Sequence, residues 1–120
     1  MELQFVSTDG KWSRAVKTKY GGMCVWPGCC SSFKAGAHHV VSRGNEDLRK
    51  CIENGVYLCG RHHRMVERME ENKYLKVMAI LIGDARLKAL IDYNSSFLAK
   101  INKSSVTISN KSSTADDIFN

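Results

Sequence analysis

Apolar residues recur at helical spacing near the beginning of the chain. They predict a helix over 11–20, packed on the core through a face that carries Trp12, Ala15, Val16 and Tyr20. Thr8 or Asp9 would cap this helix, and the glycine pair at 21–22 would end it. A short apolar patch at 3–6 predicts a strand before it. The chain is therefore expected to begin with one strand and one amphipathic helix.

The pattern changes to short β-branched stretches in the middle of the chain. Strands are predicted over 37–41 and 56–58, with a polar loop over 42–53 between them. A helix is predicted from about residue 61 to residue 72. Strand, loop, strand and helix make a ββα unit, which is too small to be held together by apolar burial alone. A metal ion that stabilises this unit is therefore expected nearby.

Helical spacing of apolar residues returns after the ββα unit. One helix is predicted over 74–82, Gly83 interrupts it, and Asp84 caps a second helix. The second helix has one apolar stripe, formed by Leu87, Leu90, Ile91 and Leu98. From residue 102 the chain is rich in Ser and Asn, which predicts a flexible C-terminal tail over 102–120. The expected organisation is one small α+β domain over 1–101, with its core motif over 24–71.

Composition narrows the class of protein. The 120 residues are 43% hydrophobic and 25% charged, and 18 Lys and Arg against 12 Asp and Glu give a formal net charge of +6. This balance favours a polyanion as partner. No stretch approaches the roughly 20 apolar residues of a membrane span, and the first residues lack the features of a signal peptide. We therefore expect no membrane association and a cytoplasmic location, where the five cysteines stay reduced.

Reduced cysteines at close spacing predict a zinc site. Cys24 and Cys29 flank a Pro-Gly turn, which favours a knuckle with two thiolates facing inward. Cys59 and His62 offer the other half of the site, as a C-x-x-H pair. These four residues are the predicted ligands of a structural Zn²⁺ ion. Two alternatives stay open, because Cys30 could replace Cys29 as a ligand and the cysteines could instead be buried free thiols.

All four histidines of the chain lie in one stretch, residues 38–63. They form two adjacent pairs, His38-His39 and His62-His63. Imidazole is the commonest metal ligand in proteins, and its pKa suits proton transfer near neutral pH. Their density therefore predicts a chemical site. Cys51 lies in the same stretch without a neighbouring ligand, and it is predicted to be a core thiol.

The order of these residues resembles the HNH endonucleases, in particular small phage-type members with a structural zinc site. The segments that carry the resemblance are HHVVSR, ENGVYLC and GRHH, preceded by the Cys24–Cys29 knuckle. The resemblance covers about residues 14–92 and includes IGDARLKAL at 82–90. It implies a ββα-metal (His-Me finger) core with a zinc knuckle, flanked by helices. The activity it implies is that of a metal-dependent DNA endonuclease.

The resemblance also implies a role for each site residue. His39 stands at the position of the general base, and Asn54 at that of the residue whose hydrogen bonds hold the base's loop. His38 and His63 stand at the positions of ligands to a catalytic ion, which would be Mg²⁺ or another divalent ion such as Mn²⁺ or Ni²⁺. Glu67 replaces a further histidine found in many relatives, and it would face the same side of a helix as His63. As an alternative, Glu67 pairs only with neighbouring arginines or with solvent.

One departure from the family pattern affects the predicted ligands of the zinc site. His62 stands where the family commonly has Cys, and imidazole can replace thiolate on zinc. Basic residues flank the histidines and are expected to contact DNA phosphates: Arg43, Arg49, Lys50, Arg61 and Arg64. The leading prediction is hydrolysis of DNA phosphodiester bonds, in the host cytoplasm if the chain is phage-encoded. Two alternatives stay open, namely a non-catalytic zinc module that binds DNA or a partner, and a protein with two structural zinc ions.

Overall fold

The computed structural model describes residues 2–41 and 45–101, and side chains as far as residue 95. These residues form five α-helices and a two-stranded antiparallel sheet, which confirms a small α+β fold. In chain order the elements are α1 (Asp9–Lys19), β1 (Gly36–His39), α2 (Glu46–Arg49), β2 (Gly55–Leu58), α3 (Gly60–Glu67), α4 (Glu71–Ile82) and α5 (Asp84–Ile101). The predicted tail over 102–120 and Arg43 lie outside the described residues. No described helix has the length and apolar character needed to cross a membrane.

Helix α1 is positioned by its cap and by its inner face. The Thr8 hydroxyl accepts a hydrogen bond from the Lys11 N–H at 3.1 Å, so the helix begins two residues before the predicted start. Trp12 and Val16 are buried, which confirms the predicted packing face. The Trp12 indole N–H donates to the Cys51 carbonyl at 2.7 Å, and this bond ties α1 to the segment before β2.

Strands β1 and β2 pair in a register that places His39 opposite Gly55. β1 ends at His39, and the predicted extension to Val41 is wrong because the following residues bond to Asn54 instead. The Asn54 carbonyl accepts from the Val40 N–H at 3.0 Å. The Asn54 side chain pairs with both the N–H and the carbonyl of Val41, each at 2.8 Å. The Asn54 side chain, which follows the loop in sequence, therefore ends strand β1, which precedes the loop.

The segment predicted as a polar loop over 42–53 is helical in part. The Asn45 side chain accepts hydrogen bonds from two backbone N–H groups and thereby caps the short helix α2. A 3₁₀ turn at Ile52–Asn54 leads into β2. Leu48 is the only buried apolar residue of α2, and one such residue gives no periodic signal. The strand predicted before α1 is also wrong, since only an isolated bridge forms there, at Phe5.

The helix predicted over 61–72 is wrong in its extent. It ends at Glu67, and α4 begins at Glu71. Between them, the Glu70 carboxylate accepts hydrogen bonds from the first turn of α4 at 3.2 and 3.0 Å. Glutamate is not among the residues usually preferred at an N-cap, so the composition of this segment did not indicate a second start. After the break, α4 contributes the fully buried Met78 to the main core cluster.

The core lies between the sheet and the helices. Its main cluster is formed by buried apolar residues from most elements: Cys24, Val40, Leu48, Cys51, Val56, Leu58, Cys59, Val66, Met78, Leu87 and Leu90. On α5 the predicted stripe is confirmed for Leu87 and Leu90, whereas Ile91 is 36% exposed and the side chain of Leu98 is not among those described. Arg86 ties α5 to the beginning of β2, because its guanidinium donates to the carbonyls of Glu53 and Gly55, each at 2.7 Å.

Candidate metal centres and the histidine cleft

Four side chains from the knuckle and from the beginning of α3 converge on one point. Their ligand atoms all lie within 4.8 Å of one another, and the residues are Cys24, Cys29, Cys59 and His62, hereafter the thiolate cluster. The His62 Nδ1 atom lies 3.5 Å from the Cys24 sulfur and 3.3 Å from the Cys59 sulfur, and the Cys29 and Cys59 sulfurs are 4.0 Å apart. Ligands on a tetrahedral zinc ion are about 3.3–3.8 Å apart, given the usual bond lengths. The thiolate cluster could therefore hold a metal ion such as zinc.

Local backbone geometry builds the thiolate cluster. Gly28 has φ +79°, a conformation suited to glycine, and the turn is closed by the Cys29 N–H donating to the Trp26 carbonyl at 2.9 Å. The Trp26 ring stacks on His62 with centroids 4.5 Å apart. Cys30 is exposed and takes no part in the cluster, so the geometry favours Cys29 of the two candidates. Cys51, in contrast, lies fully buried in the core as predicted.

The electrostatics of the thiolate cluster suit metal binding. The nearby backbone N–H of His62 is the largest cause of a lowered pKa at Cys59, which stands at the N-terminus of α3. Burial lowers the pKa of His62, with the charge of Arg61 adding to the effect. Burial raises the pKa of Cys24, so this thiol requires a cation to ionise readily. Zinc is bound by neutral imidazole and by thiols that lose their proton when the cation binds.

A second cluster joins β1 to α3. The ligand atoms of His38, His63 and Glu67 also lie within 4.8 Å of one another. The Nε2 atom of His63 is 3.3 Å from a Glu67 carboxylate oxygen one helical turn away, and the His38 and His63 rings meet edge to face at 5.0 Å. Among the described basic side chains, the His63 imidazole lies within 4 Å of the Glu67 carboxylate, whereas Arg64 and Arg68 form no ion pair with it. The three residues form a mixed imidazole and carboxylate donor set.

Tyr74 on α4 is a site residue that the sequence analysis assigned only to the core. Its hydroxyl lies 2.7 Å from the Val40 carbonyl and 2.9 Å from the Nε2 atom of His38. A carbonyl only accepts, so the phenol proton points to Val40 and the phenol oxygen accepts from His38 Nε2–H. Burial raises the pKa of Tyr74 and keeps this proton in place. Burial, then the charges of His63 and His39, lower the pKa of His38 to about 4, which leaves its Nδ1 atom with a free lone pair.

His39 turns its ring to α1, whereas the His38 ring contacts Tyr74 on α4. The His39 ring stacks on Trp12 with centroids 3.8 Å apart and planes 3° from parallel. Its Nε2 atom lies 2.9 Å from the Arg49 carbonyl, and a carbonyl cannot donate, so Nε2 carries the proton. In the neutral tautomer that this bond selects, the lone pair lies on Nδ1. His38, His39, His63, Glu67 and Tyr74 all line one cleft of about 840 Å³, hereafter the histidine cleft.

Asn54 holds the segment between the two strands by a full set of hydrogen bonds. It is completely buried, and besides its pairing with Val41 its side-chain amide donates to the Leu48 carbonyl at 2.9 Å. Leu48 directly precedes Arg49, whose carbonyl accepts the His39 proton. A chain of short contacts thus runs from Asn54 to the ring of His39.

The predicted phosphate-binding residues differ in their surroundings. Arg49 pairs with Asp9 at 3.2 Å and with Glu46 at 3.4 Å, so much of its charge is compensated within the chain. Lys50 is half-buried. Arg61 and Arg64 are exposed on α3, the helix that carries His63.

Comparisons of the chain with protein-family models, with curated proteins and with solved structures found no match. The geometry of the thiolate cluster and of the histidine cleft is thus the basis for a functional interpretation.

Proposed function

We propose that the chain is a metal-dependent endonuclease of the HNH type, built on a ββα-metal core, that hydrolyses phosphodiester bonds in DNA. One observation carries the proposal. His39 borders the same cleft as the donor set of His38, His63 and Glu67, and its Nε2 proton is already directed to the Arg49 carbonyl. A base and a cation site in one cleft are what hydrolysis of a phosphodiester needs. The net charge of +6 supports a polyanion as substrate.

His39 is the proposed general base. The Arg49 carbonyl fixes its tautomer, and the stacked Trp12 ring fixes its orientation. A proton passes from water to the His39 Nδ1 atom as the water oxygen attacks phosphorus. The bond between phosphorus and the leaving 3′ oxygen breaks, and solvent supplies the proton that this oxygen takes up. Asn54 is a positioning residue in this scheme, because it holds the segment that presents the Arg49 carbonyl.

His38, His63 and Glu67 are the proposed ligands of a catalytic divalent cation. Two imidazoles and one carboxylate suit Mn²⁺ or Ni²⁺, and the carboxylate also suits Mg²⁺. A cation held there would stabilise negative charge on the phosphate and on the leaving oxygen. Tyr74 supports the donor set by accepting the Nε2 proton of His38, which leaves Nδ1 as its ligand atom.

The thiolate cluster is proposed to bind a structural Zn²⁺ ion. Cys59 is the N-cap residue of α3, His62 lies in its first turn, and His63 directly follows His62. A zinc ion in the cluster would therefore fix the beginning of the helix that presents His63 and Glu67. This role separates the two cation sites, since the structural site supports the helix and the other site acts on the phosphate.

Plasmid cleavage with a scan of Mg²⁺, Mn²⁺ and Ni²⁺ tests the proposal. We expect zinc-loaded wild-type protein to cut or nick DNA, and His39→Ala to lower the rate by roughly 10²- to 10⁴-fold. His39→Ala should keep its zinc content and remain folded, because His39 belongs to neither donor set, and the loss of its contacts with Trp12 and the Arg49 carbonyl should lower the melting temperature without unfolding the protein. If this variant unfolded, the histidines would instead be structural ligands of a second zinc ion. Retention of DNA without cleavage by any of these ions would instead identify a non-catalytic module.

A pair of glutamates in the histidine cleft provides a matched test of the cation site. Both Glu67 and Glu71 line the cleft and are exposed, but only Glu67 belongs to the donor set. We expect Glu67→Gln to raise the Mn²⁺ concentration needed for half-maximal cleavage, with a much smaller effect from Glu71→Gln. Equal effects from the two substitutions would argue against Glu67 as a ligand.

A further inference from the structure

An exposed aromatic ring stands beside the beginning of α3. Phe33 is 72% exposed, more than any other large apolar side chain among those described. Its backbone is held on both sides, because its N–H donates to the Ser31 hydroxyl and its carbonyl accepts from the Gly60 N–H, each at 3.1 Å. A single exposed apolar residue is ordinary on a protein surface. An exposed ring on a fixed backbone, with one cation against it and further cations on the adjacent helix, is a more specific arrangement.

One cation lies against this ring, and two more are carried by the adjacent helix α3. The Lys34 ammonium lies 5.5 Å from the centre of the Phe33 ring. Lys34 and Arg64 both reach Gly60, since a Cβ at that position would lie 3.0 Å from the Lys34 Cβ and 3.7 Å from an Arg64 guanidinium nitrogen. Arg61 is exposed on the first turn of α3, next to Gly60. In the part of the chain that the structure describes, no carboxylate pairs with any of these three cations.

The beginning of α3 brings no carboxylate to these cations. Its first turn contains Arg61 and no acidic residue. Arg64 directly follows His63 and stands one turn before Glu67. The surface formed by Phe33, Lys34, Arg61 and Arg64, hereafter the Phe33 surface, therefore adjoins the histidine cleft along one helix.

We infer that the Phe33 surface binds an unpaired base and its flanking phosphates in the DNA that enters the histidine cleft. The inference rests on the proposed function and adds a substrate class to it, namely DNA with an unpaired base. Flanking cations attract the phosphates, and an exposed aromatic ring supplies a face on which a base stacks. A fully stacked duplex offers no free base face, so the surface distinguishes DNA with an unpaired base from a continuous duplex.

Binding measurements on three polyanions test this inference. Zinc-loaded protein without added Mg²⁺ or Mn²⁺ is titrated against a short duplex, the same duplex with one unpaired base, and heparin, which has no bases. We expect wild-type protein to prefer the duplex with the unpaired base. Phe33→Ala should lower affinity for that DNA by roughly 5- to 100-fold, remove the preference, and leave heparin binding unchanged. Lys34→Gln and Arg64→Gln should weaken binding to all three.

Phe5→Ala is the matched control, because Phe5 is also exposed but its ring packs against Tyr93 at 5.7 Å. It should leave the preference intact. An unchanged affinity in Phe33→Ala, or an equal loss on heparin, would overturn the inference. Failure of the wild-type protein to bind either DNA would remove the proposed function as well. Wild-type cleavage combined with an unchanged Phe33→Ala variant would remove the inference alone.

Discussion

At the scale of single residues, two adjacent histidines are held in different ways. His39 donates its Nε2 proton to a backbone carbonyl, whereas His38 donates its own Nε2 proton to a tyrosine oxygen. In both rings the Nδ1 atom is left with the lone pair. The histidines could be predicted as chemical residues from their density in sequence. Tyr74 could not, because it stands 36 positions after His38 and fits the apolar spacing of a packing face.

Removing the Tyr74 hydroxyl should weaken the cation site without unfolding the protein. In Tyr74→Phe the His38 Nε2–H loses its acceptor, so the ring no longer has a fixed tautomer. Loss of such an outer partner typically lowers metal affinity by about 10- to 100-fold. Calorimetric titration with Mn²⁺ measures this change, and ¹⁵N NMR of the His38 ring reports the tautomer in metal-free protein.

Tyr93→Phe is the control for this prediction. The Tyr93 hydroxyl bonds to Asp47 at 3.1 Å and does not line the histidine cleft. Its removal should leave both Mn²⁺ affinity and the His38 spectrum unchanged. A Tyr74→Phe variant with wild-type affinity and an unshifted His38 tautomer would show that Tyr74 only fills space.

At the scale of elements, sequence pattern located the helices and strands but not all of their ends. Helix α1 was predictable because a threonine cap and an apolar face coincide. The end of β1 was not, because Asn54 acts on it through hydrogen bonds from another segment. The break between α3 and α4 was hidden because a glutamate, Glu70, caps the second helix. Hydrogen bonds from capping side chains and from distant segments determine where a helix or strand ends. These bonds leave little trace in hydrophobic periodicity.

Close packing of α1 on the sheet depends on a glycine in β2. A Cβ on Gly55 would overlap the Val16 side chain and approach Trp12 to 2.9 Å. Trp12 also supports the ring of His39. We therefore expect Gly55→Ala to reduce the free energy of unfolding by about 1–3 kcal/mol and to lower cleavage by displacing Trp12. Urea denaturation and the cleavage assay measure the two effects.

Gly36→Ala is the matched control, because Gly36 lies in the same sheet and a Cβ there meets no atom within 4 Å. Its effect on the free energy of unfolding should stay within about 0.5 kcal/mol. Similar losses in both variants would mean that the sheet tolerates no alanine at either glycine, and that contact with α1 is not the cause.

At the scale of the whole molecule, the thiolate cluster shares residues with the hydrophobic core. Cys24 and Cys59 belong both to the cluster and to the main group of buried apolar residues. Sequence spacing and residue type were sufficient to predict three members of the cluster, Cys24, Cys59 and His62. The choice of Cys29 over Cys30 needed the fold, since Cys30 has φ +54° and faces solvent.

Zinc removal should therefore unfold the chain as a unit and not only its knuckle. Without a cation, three closely spaced thiols and one imidazole lose the interaction that holds the beginning of α3 against the knuckle. In small metal-dependent domains the free energy of metal binding is also free energy of folding. We expect one zinc ion per chain, and chelation should abolish the cooperative thermal transition measured by circular dichroism.

Cys24→Ser should reproduce this loss, whereas Cys30→Ser should keep both the zinc ion and the thermal transition, because Cys30 lies outside the cluster. A Cys24→Ser protein with wild-type zinc content and melting temperature would mean that the cysteines are ordinary core thiols, and that apolar packing alone presents His63 and Glu67 to the cleft.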